Sequence, residues 1–328
     1  MKLDVDHLSL TDIIQLQNLL SEVLRKRFTR PMALCFTDIV GSTAYVSRFG
    51  DEAGRRLHQR HFDALRTAIA PHRGRIVDTA GDGAFCCFPT MEEAATALCD
   101  FFRLLCEDNY KRPSQEELTV RCGLHWGEVL TDDVMVSGES VHLCSRVGQV
   151  GQGREIRITR EALQELSSAF KLRCTMLPSA ELKGIAAPVE LFRLEWQAQG
   201  KVVTSIRVAE TGKEIPLPSR DTISFGRFSG DERKPGNDVV LFHSEPEATL
   251  AISRYHFELR RGANGFKLRA LSRGLTEVDG ESVPQGGEAP VLPGSVVRVA
   301  KTLTLHFFGP GSGGEDSLVT HMPWVGPP

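Results

Sequence analysis

Residues 34–43 read LCFTDIVGST and residues 75–88 read RIVDTAGDGAFCCF. The first stretch predicts a short apolar strand, Met32 to Ile39, with Asp38 at its end. There Gly41, Ser42 and Thr43 open the next segment and offer backbone N–H groups to phosphate oxygens. The second predicts a hairpin, Arg75 to Phe88, turning at Ala80-Gly81-Asp82-Gly83 with Asp82 at its tip. Each carboxylate has two readings. Asp82 alone suits a plain Asp-Gly turn, and Asp38 suits a cap on a following helix. Together, at adjacent strand ends, they suit Mg²⁺ ions that also bind phosphate, because magnesium takes a few carboxylates plus substrate oxygens.

Outward from these strands the pattern alternates. Asp51 to Pro71 and Glu92 to Glu107 read as helices, and Leu118 to Leu130 as a strand broken at His125-Trp126-Gly127. A helix over Ser140 to Gln149, a strand over Glu155 to Thr159, a helix from Arg160 and a closing strand over Val189 to Trp196 follow. This predicts an α/β or α+β sheet with helices on one face. Upstream, Leu10, Ile13, Ile14, Leu16, Leu20, Val23 and Leu24 recur at helical spacing after Ser9, with Asp12 in capping-box position. The helix over 9–28 ends in Arg25, Lys26 and Arg27, with Pro31 as its stop. It either packs on its own domain or dimerises.

After Gln197-Ala198-Gln199-Gly200 short β-rich runs take over: Val202 to Val208, Thr222 to Gly226, Asp238 to Leu241, His256 to Arg260, Phe266 to Leu271, Val296 to Val299 and Leu303 to Phe308. Separated by Gly, Pro, Asn and Ser clusters, they predict an all-β sandwich. The expected organisation is a helix over 1–31, a mixed domain over 32–196, a linker over 197–201, a β domain over 202–309 and a disordered tail over 310–328.

Composition agrees with two packed domains, at 328 residues and 41% hydrophobic. With 39 Lys and Arg against 42 Asp and Glu, no global positive field favours nucleic acid or an anionic membrane. No apolar stretch approaches the roughly 20 residues of a membrane span, and residues 1–12 lack signal-peptide order. A soluble, cytoplasmic protein is expected. The eight cysteines form no Cys-x-x-Cys pair and all precede residue 175, so they read as small buried thiols in a reducing compartment. His58 and His61, three apart on a polar helix face, read as surface residues. Gly151-Gln152-Gly153 lacks the third glycine of a dinucleotide fingerprint.

The strings LCFTDIVGST, RIVDTAGDGAFCCF, VRCGLHWGEV (120–129), GESVHLCSR (138–146) and ELKGIAAPVELFRL (181–194) resemble, in order and spacing, the class III nucleotidyl cyclases over about residues 32–195. The resemblance implies a ferredoxin-like catalytic fold working as a head-to-tail homodimer. Its active sites lie at the interface, where the 3′-hydroxyl of a nucleoside triphosphate attacks its own α-phosphorus and pyrophosphate leaves. It implies two Mg²⁺ or Mn²⁺ ions per site, held by Asp38 and Asp82, with Gly41, Ser42, Thr43 and Arg121 on the triphosphate from the same chain. Arg146, as the arginine stabilising charge at the α-phosphate, and Lys183 would come from the partner chain.

Three positions depart from the adenylyl pattern. Asp78 stands where a base-reading Lys is usual, Met135 falls at the second base-reading position, and His142 replaces the Asn that orients the ribose. The gap between Gly127 and Gly138 leaves Asp132 or Asp133 as alternatives to Met135. Asp accepts where Lys donates, which suits the N1–H and exocyclic N–H of guanine and favours GTP over ATP; such discrimination reaches about 10⁴-fold. His142 retains one N–H donor, whereas losing a transition-state donor costs about 10² to 10³ in rate.

Residues 223–309 resemble a forkhead-associated domain, the phosphothreonine-reading sandwich. The matching pieces are Phe225-Gly226-Arg227, Asn237-Asp238, Ser253-Arg254-Tyr255-His256, Thr276-Glu277-Val278-Asp279-Gly280 and Leu292-Pro293-Gly294. The resemblance places Arg227, Ser253 and Arg254 on phosphate oxygens and Thr276 on the peptide, with His256 fixing the Ser253 loop. The usual Asn-Gly-Thr reads Gly274-Leu275-Thr276 here. The combined expectation is a cyclase tied to phosphothreonine signalling; the competing one is a degenerate cyclase serving as a phosphoprotein scaffold.

Overall fold

The computed structural model describes residues 8–197, 201–231, 236–262 and 264–310. Residues 198–200 of the expected linker and 311–328 of the expected tail lie outside the described residues. The chain divides into two compact units, Met1–Trp196 and Gln197–Pro328.

The first unit begins with α1 (Leu10–Phe28). Its capping box is formed: the Ser9 side chain accepts from Asp12 N–H, and the Asp12 side chain returns to Ser9. No residue of α1 is buried, and Leu10, Ile13, Ile14, Leu19, Leu20, Val23 and Leu24 are 46–74% exposed. The stripe therefore does not pack on its own domain. The helix passes straight into β1 (Thr29–Ile39), so Pro31 is not a stop but lies within a strand. It pairs with Glu128 on one side, while the ladder on the other side starts only at Ala33 opposite Phe88. A strand position with one unpaired side tolerates a residue that has no N–H.

The remaining elements are α2 (Ser42–Phe49), α3 (Asp51–Ile69), β2 (Arg75–Ala80), β3 (Gly83–Phe88), α4 (Met91–Tyr110), β4 (Val120–Thr131), β5 (Val136–Ser137), α5 (Glu139–Gln149), β6 (Ile156–Thr159), α6 (Arg160–Glu165), α7 (Ser168–Lys171), β7 (Cys174–Met176) and β8 (Leu191–Leu194). The sheet runs β2-β3-β1-β4-β6-β8-β7, with β5 on β4. β1 and β4 pair antiparallel from Thr29–Leu130 to Ile39–Val120, and β4 pairs parallel with β6.

Two expectations fail here. β4 is continuous, with His125, Trp126 and Gly127 paired to Leu34, Ala33 and Met32. Gly127 marks a close approach: a Cβ there would lie 2.3 Å from Ser140 Oγ at the start of α5. Helices also cover both faces. Four consecutive residues, Met32 to Cys35, are buried, which a strand allows only when both its faces are covered. Ala33 and Cys35 join a core with α3 and α4, whereas Met32 and Leu34 join Cys144 of α5. Seven cysteines are buried and Cys174 is half-buried.

The second unit contains two sheets. One orders its strands Glu214–Pro216, Ser205–Val208, Leu303–Phe308, Val296–Val299, Thr276–Val278, Glu281–Ser282. The other orders Val239–Val240, Thr222–Gly226, Phe257–Gly262, Gly265–Ala270, Glu288–Val291. One apolar core draws on both, with Ile206, Val297, Leu305 and Phe307 meeting Ile223, Phe225, Leu259 and Leu268.

Candidate active site

The end of β1 presents a half-buried Asp38 directly opposite Arg121 of β4. Arg121 Nε and Nη2 both donate to Asp38 Oδ2, at 2.8 and 2.6 Å. Arg121 Nη1 donates to the Gln149 carbonyl at 2.7 Å, and Arg146 Nη1 donates to the Gln149 side-chain oxygen at 2.8 Å. A chain of charge-assisted bonds thus joins the strand-end carboxylate to the last turn of α5. Around it lies a cleft of about 380 Å³ lined by Phe36, Thr37, Asp38, Asp78, Gly83, Ala84, Phe85, Arg121, Ser145, Gly148 and Gln149.

The helix stays close because two glycines touch: a Cβ on Gly123 of β4 would lie 2.3 Å from Gly148 N and 2.7 Å from Cys144 O. The β2–β3 hairpin closes the other wall. Ala80 pairs with Gly83, so Gly81 and Asp82 form the turn, with Gly81 at φ +64°. Glycine first is the type II′ arrangement, not an Asp-Gly turn, and the positive φ does not fall on Asp82. Thr37 pairs with Ala84, so Asp38 and Asp82 sit at the same end of neighbouring strands. Asp38 is no helix cap either: α2 is capped by Gly41 at φ +77°, and no side chain bonds its first turn of Ser42 and Thr43.

Other expected residues lie outside the cleft. His142 and Arg146 share one face of α5, His142 exposed and Arg146 half-buried. Lys183 is exposed in the turn after the buried Leu182. Met135 is 61% exposed, and its N–H donates to Asp132 Oδ1 at 2.9 Å. That bond and the one from Val134 N–H hold the Asp132 carboxyl below its usual range. Asp133 pairs with Arg30. Neither aspartate lines the cleft.

His61 corrects an expectation. It is fully buried, its Nε2 3.0 Å from Thr37 Oγ1, its ring tilted against Phe62 and Phe101. Burial pushes its pKa down to about 4, with Asp82 opposing and His58 adding to the shift. His58 is half-buried rather than exposed. The signal was present in the spacing of Leu57, His61 and Leu65, the buried stripe of α3. The bridging Gln149 was missed as well; only its position three after Arg146 pointed to it.

In the second unit, Arg227 N–H donates to Ser253 O at 3.1 Å. The Arg227 Nε atom is buried with no hydrogen-bond partner among the described residues. Ser253 N–H donates to His256 Nδ1 at 3.2 Å, which leaves His256 Nε2 to donate to Leu275 O at 3.1 Å. Burial lowers the His256 pKa. A Cβ on Gly274 would meet His256 Cε1 at 2.8 Å. Arg254 is exposed, whereas Thr276 is buried with its hydroxyl 3.5 Å from Gly274 O.

A mixed sheet carrying two strand-end carboxylates and an arginine beside a helix N-terminus suits nucleotide-phosphate chemistry. Residues 24–195, just over half of the chain, match the family described as the adenylate and guanylate cyclase catalytic domain, and the chain belongs to that family. The putative adenylate cyclase 3 of Rhizobium meliloti is 21% identical over 292 residues, covering 87% of this chain and 47% of that protein. A serine/threonine-protein kinase of Myxococcus xanthus is 28% identical over 171 residues, covering 52% of this chain and 20% of its own length. The chain thus spans less than half the length of these relatives. Among solved structures, the adenylate/guanylate cyclase/hydrolase of Silicibacter pomeroyi covers 51% of this chain and 96% of its own, at 21% identity and a TM-score of 0.47. Among the described residues, no helix is long and apolar enough to cross a membrane.

Proposed function

We propose that the chain is a class III nucleotidyl cyclase that converts a purine nucleoside triphosphate to its 3′,5′-cyclic monophosphate and pyrophosphate at a homodimer interface. The observation that carries this reading is Asp38, bonded twice by Arg121 at the mouth of a cleft beside the Asp82 turn. Two carboxylates at the same end of neighbouring strands suit hard cations that take their remaining oxygens from substrate. Bound by Asp38 and Asp82, Mg²⁺ or Mn²⁺ supplies charge neutralisation at the attacking and leaving oxygens.

The chain's own residues do the rest. Ser42 and Thr43 offer first-turn N–H groups to the polyphosphate. Arg121 exchanges its bond to Asp38 for a phosphate oxygen. Arg146, released from Gln149 of its own chain, stabilises charge at the α-phosphate of the facing site, and Lys183 adds a cation there. His142 donates one N–H toward the ribose. Asp78, exposed on the cleft wall, accepts from the base and favours GTP over ATP.

The test incubates purified protein with each of the four nucleoside triphosphates and Mg²⁺ or Mn²⁺. Cyclic product is expected, and Asp38→Ala or Asp82→Ala should abolish it. Unchanged activity in both variants, or none in wild type with any triphosphate, sinks the reading. The second outcome favours a degenerate cyclase acting as a phosphoprotein scaffold, the alternative that the departures at Asp78 and His142 raise.

For the second unit the proposal is a forkhead-associated domain that binds phosphothreonine through Arg227, Ser253 and Arg254, supported by the unpartnered Arg227 Nε beside the Ser253 loop. Losing a charge-assisted bond costs roughly 1.5–3 kcal/mol, so Arg227→Ala should weaken a phosphothreonine peptide at least about tenfold. A peptide library showing no phosphate-dependent binding would leave this unit a packing module.

A further inference from the structure

We propose that a second groove of the cyclase unit, between the starts of β1 and β2 and the β4–β5 loop, binds a phosphate dianion, free or as the terminal monoester of a small molecule. The groove holds about 360 Å³ and is lined by Arg30, Arg73 and Arg75, with Asp133 as the one acidic lining residue among those described. It is distinct from the Asp38 cleft: Arg30 and Asp38 lie at opposite ends of β1, about 26 Å apart along an extended strand.

The three guanidiniums are unequally satisfied. Arg30 pairs with Asp133, whose side chain is 75% exposed, and Arg73 Nε donates to Glu93 at 2.6 Å. Arg75 Nη1 donates to the Val134 carbonyl at 3.1 Å, yet Arg75 Nη2 is buried with no acceptor among the described residues. A buried, charged donor without an acceptor is costly, and native structures rarely leave one unless a water or ion completes it. The floor is apolar: Met32 and Cys87 are buried. Burial pushes the Cys87 thiol up while Arg75 and then Arg30 pull it down, so both cationic fields converge there.

The chemistry favours phosphate. A doubly charged anion with three or four acceptor oxygens satisfies several guanidinium N–H groups at once and competes with a single exposed carboxylate for Arg30. No aromatic side chain lines the groove among the described residues, so nothing there stacks a nucleobase.

The test titrates the full chain calorimetrically, without divalent metal, against inorganic phosphate and separately against ribose 5-phosphate. Saturable binding of either is expected; ribose 5-phosphate alone indicates a monoester site, and inorganic phosphate as well indicates a site for the free anion. Arg75→Gln should weaken binding at least about tenfold. Asp133→Asn should tighten it roughly two- to fivefold, the span of one exposed ion pair; asparagine tolerates the left-handed backbone that Asp133 adopts at φ +73°. If Arg75→Gln does not fold, Arg73→Gln, an exposed position, carries the same expectation of weaker binding. Absence of saturable binding, equal binding by the folded variant, or no tightening by Asp133→Asn overturns the proposal. So does loss of binding in Arg227→Ala, which would put the anion in the second unit.

Discussion

The substitution Gly123→Ala tests the architecture of the candidate active-site cleft. A methyl group there would lie 2.3 Å from Gly148 N, 2.7 Å from Cys144 O and 2.7 Å from Gly148 Cα. All three are backbone atoms of α5, so no side chain can swing away. Restoring an ordinary contact of about 3.5 Å requires α5 to retreat by roughly 1.2 Å. The Gln149 carbonyl, 2.7 Å from Arg121, would then stand near 3.9 Å, too far to bond. Arg121 would lose the anchor that aims it at Asp38, and Arg146 would move with its helix. Overpacking of this kind costs about 1–3 kcal/mol, which at roughly 2–4 °C per kcal/mol is readable in a melting curve. Displacement by about 1 Å costs on the order of 10²-fold in rate. Cyclic-nucleotide formation at saturating substrate and thermal unfolding are measured on the same preparation. Gly148→Ala is the internal control: its Cβ approaches Gly123 N only to 3.2 Å, so its losses should be smaller. A Gly123→Ala protein with wild-type turnover and melting temperature, or a Gly148→Ala protein worse than it, would refute the glycine-contact argument.

His61 makes stability depend on pH. Its folded pKa of about 4 lies below the ordinary 6.5, so below pH 6.5 the unfolded chain takes up a proton that the folded chain refuses. Stability should fall from pH 6.5 to pH 4, by up to about 3 kcal/mol in total; urea titrations should show a shallower fall for His61→Gln, and identical slopes would remove His61 as the cause. A chain starting near residue 30, without the exposed apolar stripe of α1, should dimerise more weakly in sedimentation equilibrium, and an unchanged dimer constant speaks against α1 as a dimer element. Asp78→Lys should move the purine preference from GTP toward ATP in a competition assay; an unmoved ratio means that Asp78 does not read the base.

The fold was legible where one period ruled. Helical spacing gave α3 and α4, and the apolar runs flanking Gly81-Asp82 gave the β2–β3 hairpin. Misreadings fell on residues whose local preference yields to tertiary context. Pro31 looks like a stop because proline lacks an N–H, yet it stands where β1 is paired with β4 alone and the ladder to β3 has not begun. Gly127 looks like a break, but it is small because Ser140 lies against it. The four-residue buried run at Met32 to Cys35 carries the mark of a strand covered on both faces, and reading it as one-sided left α5 on the wrong side.

Site residues divide by the distance over which they are specified. Asp38 and Arg121 face each other on paired strands and Asp82 lies in the turn of the neighbouring hairpin, positions that follow from local strand and turn patterns. The Arg121–Gln149–Arg146 link depends on the Gly123–Gly148 approach, which no local pattern announces. Charge supplies the last step. Among the described lining residues of one chain's cleft, Asp38 and Asp78, with Asp82 in the adjoining turn, would together with an incoming triphosphate face the one guanidinium of Arg121, an excess of negative charge that calls for further cations. The proposed metals reduce it, and the proposed cations from elsewhere are Arg146 and Lys183. Lys183 lies exposed outside this cleft, as do His142 and the apolar stripe of α1. Residues that can work on a second copy must be at the surface of the first. Under the proposed reading, then, their exposure follows from a site split between two chains, and dilution below the dimer constant should abolish turnover while leaving each chain folded.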